Sequence, residues 1–281
     1  IDSTMALAGH IQRIKGLIRE TLGLPDINES FKLYPRVIKE EEKDGFILKY
    51  LFFRAEKDIL VPAILVQDAN SSLEETNPTI LLLENGTMDI ESDWESIAEL
   101  TTKNKLVMVF DPRGVGAAKC RKVNPSSDAT EFKLSYDALM LGTSLVGLRT
   151  HDVTMACKYL RTLIGKKEVN IIGRGIGALH GLFAAALEDD ICTVVLEDMI
   201  YSFWDIVRRR YFALDRRAIL YGIINKFDVI DLLAAIQGNV KLIRPLNGEK
   251  EPVEPRIIEE EILNVFSEFY PICSKPEVEG L

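Results

Sequence analysis

This chain repeatedly alternates short, fully apolar segments with longer segments whose apolar residues have helical spacing. A strand that is apolar throughout must be covered on both faces, which is typical of a parallel sheet between two layers of helices. Two further strand-like segments, 46–53 and 59–66, are joined by a short polar turn and predict an antiparallel hairpin. We therefore predict an α/β fold with a mostly parallel central sheet, an antiparallel opening hairpin and helices on both faces. The apolar strands are expected at 79–83, 106–110, 169–172, 192–196 and 240–243.

No internal repeat, low-complexity stretch or linker interrupts the 281 residues, a length that suits one large α/β domain. We therefore expect a single domain over 1–281. Segment 136–164 is predicted to be mostly helical, with interruptions near Gly142 and Gly147, and segment 203–236 to be largely helical. The expected parts are a helical and extended lead-in at 1–45, the hairpin at 46–66 and a βα core at 79–250.

Charge and composition exclude several kinds of partner. The formal net charge is −9, and a surface of that sign repels phosphate backbones, so we expect no nucleic-acid partner. No apolar run is long enough to span a bilayer, so we expect no membrane partner. None of the four cysteines forms a C-x-x-C pair or has a His at zinc spacing, so we expect neither a metal site nor a cofactor.

The turn after the third apolar strand is the most informative part of the sequence. The strand at 169–172 runs into Gly173-Arg174-Gly175-Ile176-Gly177 and then into a helix of small residues. In such a sharp turn the flanking glycines let strand and helix pack closely, and the middle residue projects above the sheet. Enzymes built on this turn carry a Ser, Cys or Asp nucleophile there, but Gly175 has no side chain that could attack a substrate. We predict a positive φ at Gly175.

In order and spacing, this turn and its neighbours resemble the α/β-hydrolase superfamily. The opening hairpin resembles that of the acetyl xylan esterase-like and dienelactone hydrolase-like group, and the resemblance covers roughly residues 30–250. It implies a carboxylic-ester hydrolase fold with carbohydrate esters as the substrate class, and it favours a secreted or periplasmic location. The segments that carry the resemblance are 79–86, 111–116, 173–177 and 194–198.

The resemblance also assigns roles to positions, and few of these positions hold the expected residue. The nucleophile position is Gly175, and Asn247 stands in the late loop where an acid is expected. The general base should be a His after the last strand, but the histidines are His10, His151 and His180. We therefore predict a degenerate catalytic triad with no intact catalytic residue.

Some members of this group place the acid one strand earlier, which corresponds to Glu197 or Asp198 here. An alternative function is therefore an esterase with a non-standard mechanism, in which Glu197 or Asp198 acts as a general base on water.

A second alternative is a dinucleotide-binding domain that uses Gly173-Arg174-Gly175. The segment 169–178 also reads as a strand, a G-x-G-x-x-A turn and a helix, and Glu197 follows at the spacing of a ribose-binding acid. However, that fingerprint normally belongs to the first strand of its domain, whereas here a hairpin and two βα units precede it.

Other polar residues near the predicted strand ends have simpler interpretations. His151 and His180 are expected to be packed, structural residues, and Asp111 and Arg113 to brace the loop that follows their strand. Asn85-Gly86 lies where an oxyanion-hole N–H would come from, but without a nucleophile it would serve as a turn.

The preferred hypothesis is a non-catalytic domain with a structural, binding or partner-supporting role. The chain begins with Ile1, and it keeps the apolar strands and the glycine turn of the fold but lacks the expected catalytic residues. We therefore expect it to be one half of a tandem esterase. The partner would be a second hydrolase domain of the same parent protein, docked on an exposed apolar patch. The predicted patch residues are Tyr201, Phe203, Trp204, Tyr211 and Phe212.

Overall fold

One nine-stranded sheet organises the protein, whose computed structural model describes residues 3–25, 30–72, 77–120, 129–166, 168–213, 215–266 and 275–280. Across the described part of the sheet the strand order is β1-β2-β3-β5-β4-β6-β7-β8-β9. The strands are β1 (Arg36–Lys43), β2 (Phe46–Glu56), β3 (Ile59–Asp68), β4 (Thr79–Leu82), β5 (Leu106–Phe110), β6 (Val169–Arg174), β7 (Ile191–Glu197), β8 (Asn239–Ile243) and β9 (Glu277–Glu279).

The sheet is mixed, as predicted. Strands β1, β2 and β3 pair antiparallel, and β3 pairs antiparallel with β5. From β5 onward every described pairing is parallel. Every residue of β4 and β5 is buried, because helices cover both faces of the sheet there. These observations confirm the predicted fold class.

The sheet divides the interior into two hydrophobic cores, each covered by helices. The smaller core includes Ile97 of α2 and lies against β3, β4 and β5, whereas the larger core receives side chains from α1, α4, α5, α7 and α8. No helix in the described ranges is both long and apolar enough to cross a membrane. The helices are α1 (Ser3–Leu22), α2 (Trp94–Asn104), α3 (Ala129–Met140), α4 (Leu145–Ile164), α5 (Ile176–Leu187), α6 (Phe203–Arg208), α7 (Val229–Leu233) and α8 (Pro255–Phe266).

The expectation that segment 203–236 is largely helical is wrong. Only α6 and α7 form there, separated by irregular backbone and short 3-10 turns. Ser202 caps α6, Asp228 caps α7, and Gly222 has a φ of 75°, so local backbone signals divide the segment.

Two boundaries also differ from the sequence interpretation. Gly147 lies inside α4, and the helix begins at Leu145 because the Ser144 side chain accepts a hydrogen bond from the Gly147 N–H. The sheet extends beyond the predicted 46–66 and 79–250 segments, since β1 and β9 form its edges.

Candidate functional site

The turn at Gly175 connects the central strand β6 to α5. Gly175 has φ 57° and ψ −122°, so the predicted positive φ is confirmed. The neighbouring glycines are needed for packing. A β-carbon at Gly173 would lie 2.5 Å from Ala178 Cα, and one at Gly177 would overlap the Leu82 carbonyl oxygen. Strand and helix therefore approach as closely as the sequence suggested.

A cavity of about 450 Å³ opens above Gly175. It lies at the carboxyl ends of β4, β6, β7 and β8, which is where ligands bind in open α/β sheets. Its volume is that of a small-molecule site. The described lining residues are Glu84, Gly175, Ile176, Leu179, Asp198, Met199, Ile200, Asp215, Ala218, Arg244, Leu246, Lys250 and Pro252.

The side chains of this lining limit its chemistry. None of the lining residues that the structure describes carries a hydroxyl, a thiol or an imidazole. Acyl transfer through a covalent intermediate normally needs one of these groups as nucleophile, together with a base that activates it. The polar groups that remain are carboxylates, an amine and a guanidinium.

Glu84 follows β4 and faces the Gly175 turn. Its Oε2 atom lies 3.6 Å from the position that a β-carbon on Gly175 would occupy. Its Oε1 atom accepts a hydrogen bond of 3.2 Å from Arg217. The first N–H groups of α5 have no intrahelical acceptor, and the helix dipole makes this end partially positive. Glu84 therefore places a negative charge beside the region where an oxyanion hole would need donors.

Glu197 and Asp198, the two acids proposed as general bases, are each held by an arginine. Arg174 donates to Glu197 at 2.7 Å, and Glu197 is not among the lining residues of the cavity. Asp198 lines the cavity, but Arg244 contacts both of its carboxylate oxygens. The Arg244 pKa is raised by these hydrogen bonds to Asp198. Both acids are thus engaged in ion pairs.

Asn247 does not face the cavity but shapes the turn that follows β8. Its side-chain oxygen accepts hydrogen bonds from the N–H groups of Glu249 at 2.8 Å and Glu251 at 3.0 Å. It is buried and absent from the cavity lining. The expected absence of a general base after the strand at 240–243, beyond which the sequence has no histidine, stays a prediction.

Asp111 joins the loops after β4 and β5, as predicted. Its buried carboxylate accepts hydrogen bonds from Thr87 N–H and Oγ1, both at 2.6 Å, and from Ala117 N–H at 2.8 Å. Burial raises the pKa of Asp111, although these hydrogen bonds oppose the shift. A β-carbon on Gly86 or on Gly116 would overlap the carboxylate, so both must be glycine. The Asn85-Gly86 segment is therefore a fixed turn.

Arg113 braces the same region, again as predicted. Its guanidinium donates to Asp152, which is buried on α4, and to Glu56 on β2 at 2.9 Å. His151 lies beside this network, and its Nε2 atom is 3.0 Å from the Ala55 carbonyl oxygen. Burial lowers the pKa of His151, which is consistent with a structural role.

His180 lies behind the Gly175 turn and is buried, in agreement with its predicted structural role. Burial lowers its pKa well below the usual value, and the nearby charges of Arg149 and Arg217 lower it further. The pKa of Asp215 is raised by burial, but hydrogen bonds from Arg217 outweigh this effect and lower it below the usual value. Arg217 thereby connects Asp215 to Glu84 beneath one wall of the cavity.

The geometry argues against the dinucleotide-binding alternative. Gly173 is used for contact between β6 and α5, and Glu197 is bound by Arg174 rather than directed into the cavity. The Glu84 carboxylate stands beside Gly175, where a pyrophosphate would have to approach. A second negative group at this point would be repelled.

The predicted aromatic patch divides between interior and surface. Tyr201 and Phe203 are buried in the larger core, so their assignment to the patch is wrong. Trp204, Tyr211 and Phe212 are exposed by 42%, 68% and 62%.

The sequence interpretation assigned no role at the site to Glu84, Arg217, Arg244 or Lys250. Glu84 and Arg244 directly follow apolar strands, which is a signal that could have identified them. Arg217 and Lys250 come from irregular segments, and nothing in the sequence places them at the cavity.

Comparisons with known proteins give structural relatives only. No protein-family model matches the chain, and no curated protein matches it in sequence. A Bacteroides fragilis protein assigned as an acetyl xylan esterase superposes with a TM-score of 0.77 at 12% identity, over 98% of this chain and 75% of that one. Acetyl xylan esterase 1 from Thermoanaerobacterium sp. gives 0.58 at 16% identity, over 96% and 86%.

A glucuronoyl esterase from Solibacter usitatus gives a TM-score of 0.59 at 11% identity, over 92% of this chain and 80% of that one. All three are α/β-hydrolase structures. Identities this low carry no information on substrate, but the superpositions extend over nearly the whole chain. Together with the strand order and the turn at Gly175, they show that this chain has the α/β-hydrolase fold.

Proposed function

We propose that this chain is a non-catalytic α/β-hydrolase-like domain that binds a small molecule in the cavity above Gly175 and supports a partner. The proposal rests on one observation: the nucleophile position is a glycine, and no described lining residue offers a hydroxyl, thiol or imidazole in its place. The fold relatives are esterases, so this domain would have an esterase-like fold that has lost its catalytic residues.

The charge at the turn supports this proposal. Ester hydrolysis develops negative charge on the carbonyl oxygen, and esterases stabilise it with N–H donors beside the nucleophile. Here the Glu84 carboxylate lies close to Gly175, so developing charge would be repelled. Removing one oxyanion-hole donor typically costs about 10²–10³ in kcat, and an opposing charge works in the same direction.

Covalent labelling tests the missing nucleophile. The protein is incubated with a fluorophosphonate, which modifies activated serines, and its intact mass is measured beside a serine esterase as positive control. We expect the positive control to gain one phosphonyl group and this protein to remain unmodified. Stoichiometric labelling of a residue at the cavity would refute the proposal.

The alternative with a carboxylate base has its own test. If Glu197 or Asp198 activated water, then Glu197→Gln or Asp198→Asn should abolish a measurable esterase rate. We expect no such rate in the unsubstituted protein, because Arg174 and Arg244 already bind these two carboxylates.

We propose a second hydrolase domain of the same parent protein as the partner. The exposed rings of Trp204, Tyr211 and Phe212 support this, because aromatic residues are enriched at the centres of protein interfaces. The parent reading frame is the test. It should encode a second domain of this fold with an intact triad, and a frame that encodes these 281 residues alone would refute the tandem arrangement.

A further inference from the structure

We infer that the cavity above Gly175 binds a primary alkylammonium ion, with the ligand's ammonium group at the Glu84 carboxylate and its hydrocarbon chain along the apolar wall. This inference rests on the proposed binding function and names its ligand class. The charged end of the ligand would lie at the turn between β6 and α5, where an esterase carries its nucleophile.

The three carboxylates in the lining are not equally well partnered. Arg244 contacts both oxygens of Asp198, and the Arg217 side chain donates to both oxygens of Asp215. Glu84 receives one hydrogen bond, on Oε1, from the Arg217 Nη2 atom that also contacts Asp215. Its Oε2 atom has no hydrogen-bond partner among the described residues.

The positive charges near the cavity act mainly on Asp215. Burial would raise the pKa of Asp215, but hydrogen bonds from Arg217 and the charges of Arg217 and Lys250 lower it below its usual value. The lining holds three carboxylates and two cations, and the third cation, Arg217, is shared. The start of α5 adds roughly half an elementary charge. Glu84 is therefore the carboxylate of the lining whose charge is least compensated.

The absence of a side chain at Gly175 leaves space beside this carboxylate. The Glu84 Oε2 atom lies 3.6 Å from the point that a β-carbon of Gly175 would occupy, and both residues line the cavity. An ammonium group placed there has three N–H donors, and a hydrogen bond between ionised partners is stronger than a neutral one. A ligand's ammonium would thus supply the partner that Oε2 lacks.

The rest of the lining suits a hydrocarbon chain. More than half of the described lining residues are apolar, and they include residues of α5, of the segment after β7 and of the segment after β8. Mostly apolar pockets with a few placed polar groups are typical of small-molecule sites. The apolar wall consists of Leu179, Met199, Ile200, Ala218, Leu246 and Pro252.

Calorimetric titration with straight-chain amines at pH 7, where they are protonated, tests the inference. Butylamine, hexylamine and octylamine should bind with affinity that rises by up to about fourfold per methylene until the cavity is full. Hexanol and hexanoate are the matched probes without the positive charge, and both should bind more weakly than hexylamine. Equal binding of hexylamine and hexanoate, an affinity independent of chain length, or no binding of octylamine would overturn the inference.

Substitution of Glu84 separates the charge from the wall. Glu84→Gln should weaken hexylamine binding by about two- to fivefold, the range for an exposed ion pair, and should leave hexanol binding unchanged. Glu99→Gln is the control, because Glu99 is also exposed but lies on α2 and does not line the cavity. Equal weakening by Glu84→Gln and Glu99→Gln would refute the role of Glu84.

Salt provides a second measurement that needs no substitution to be tolerated. Raising the ionic strength should weaken hexylamine binding to the unsubstituted protein, because salt screens exposed charges, and should not weaken hexanol binding. The same small salt dependence for both ligands would contradict an ammonium site.

These measurements are independent of catalysis. The amines contain no ester bond, so their binding does not require hydrolysis. A protein that binds octylamine and is also labelled by the fluorophosphonate would retain the ligand inference and lose the proposed non-catalytic function. An unlabelled protein that binds no alkylamine would lose the ligand inference only.

Discussion

Replacing Gly175 with alanine should destabilise the protein through its backbone alone. The new β-carbon would meet nothing nearer than the Glu84 carboxylate at 3.6 Å, so steric overlap is not involved. The φ and ψ of 57° and −122° are those of the first central residue of a type II′ turn, which L-residues other than glycine avoid. A residue in such a region costs about 1–3 kcal/mol.

Gly165 and Gly177 calibrate this effect. Gly165 ends α4 with φ 71° and ψ 13° and has open space around it, so Gly165→Ala should cost about 1 kcal/mol. Gly177→Ala would force a β-carbon against the Leu82 carbonyl oxygen and should cost more than either. The expected order of destabilisation is therefore Gly177, then Gly175, then Gly165.

Urea denaturation followed by circular dichroism measures all three variants. Each kcal/mol should also lower the melting temperature by about 2–4 °C in a domain of this size. A Gly175→Ala variant as stable as the unsubstituted protein, or more stable than Gly165→Ala, would refute the strained turn.

Two further predictions concern the buried polar groups. Asp111→Asn should lower the free energy of unfolding by about 2–3 kcal/mol, because an amide cannot accept all three hydrogen bonds and its NH₂ would face donors. A loss under about 0.5 kcal/mol in urea denaturation would contradict this. His180 stays neutral in the folded protein because its pKa is depressed, so its contribution is present above the unfolded pKa of 6.5 and lost as pH falls. Relative to a His180→Gln variant, the protein should lose about 1.4 kcal/mol of stability per pH unit below that value, and parallel pH profiles for the two proteins would contradict the neutral state.

The central strands could be predicted from the sequence because a strand that is buried on both faces is apolar along its whole length. Every residue of β4 and β5 is buried, and both strands are apolar runs in the sequence. The turn at Gly175 was predictable for a similar reason, since its glycines are required by close backbone contacts. The edge strands lack this apolar pattern, since β1 is exposed and mostly charged and β9 has three residues.

The irregular segment between β7 and β8 depended on contacts that are distant in sequence. Asp228 accepts hydrogen bonds from the Ser202 hydroxyl at 2.5 Å and from the Phe203 N–H at 2.7 Å, and so ties the start of α6 to the start of α7. Apolar spacing predicted a largely helical segment, because it reports burial but not hydrogen bonds between distant residues. The pairing of Arg217 with Glu84, 133 residues apart, is equally invisible to local patterns.

The rate of p-nitrophenyl acetate hydrolysis by the purified protein tests the central claim most directly. A domain with no nucleophile at Gly175 should hydrolyse the ester no faster than its Gly175→Ala variant at the same concentration, with both at the buffer rate. A turnover of about 1 s⁻¹ or more, in the range of ordinary enzymes and lost in Asp198→Asn, would contradict the non-catalytic account.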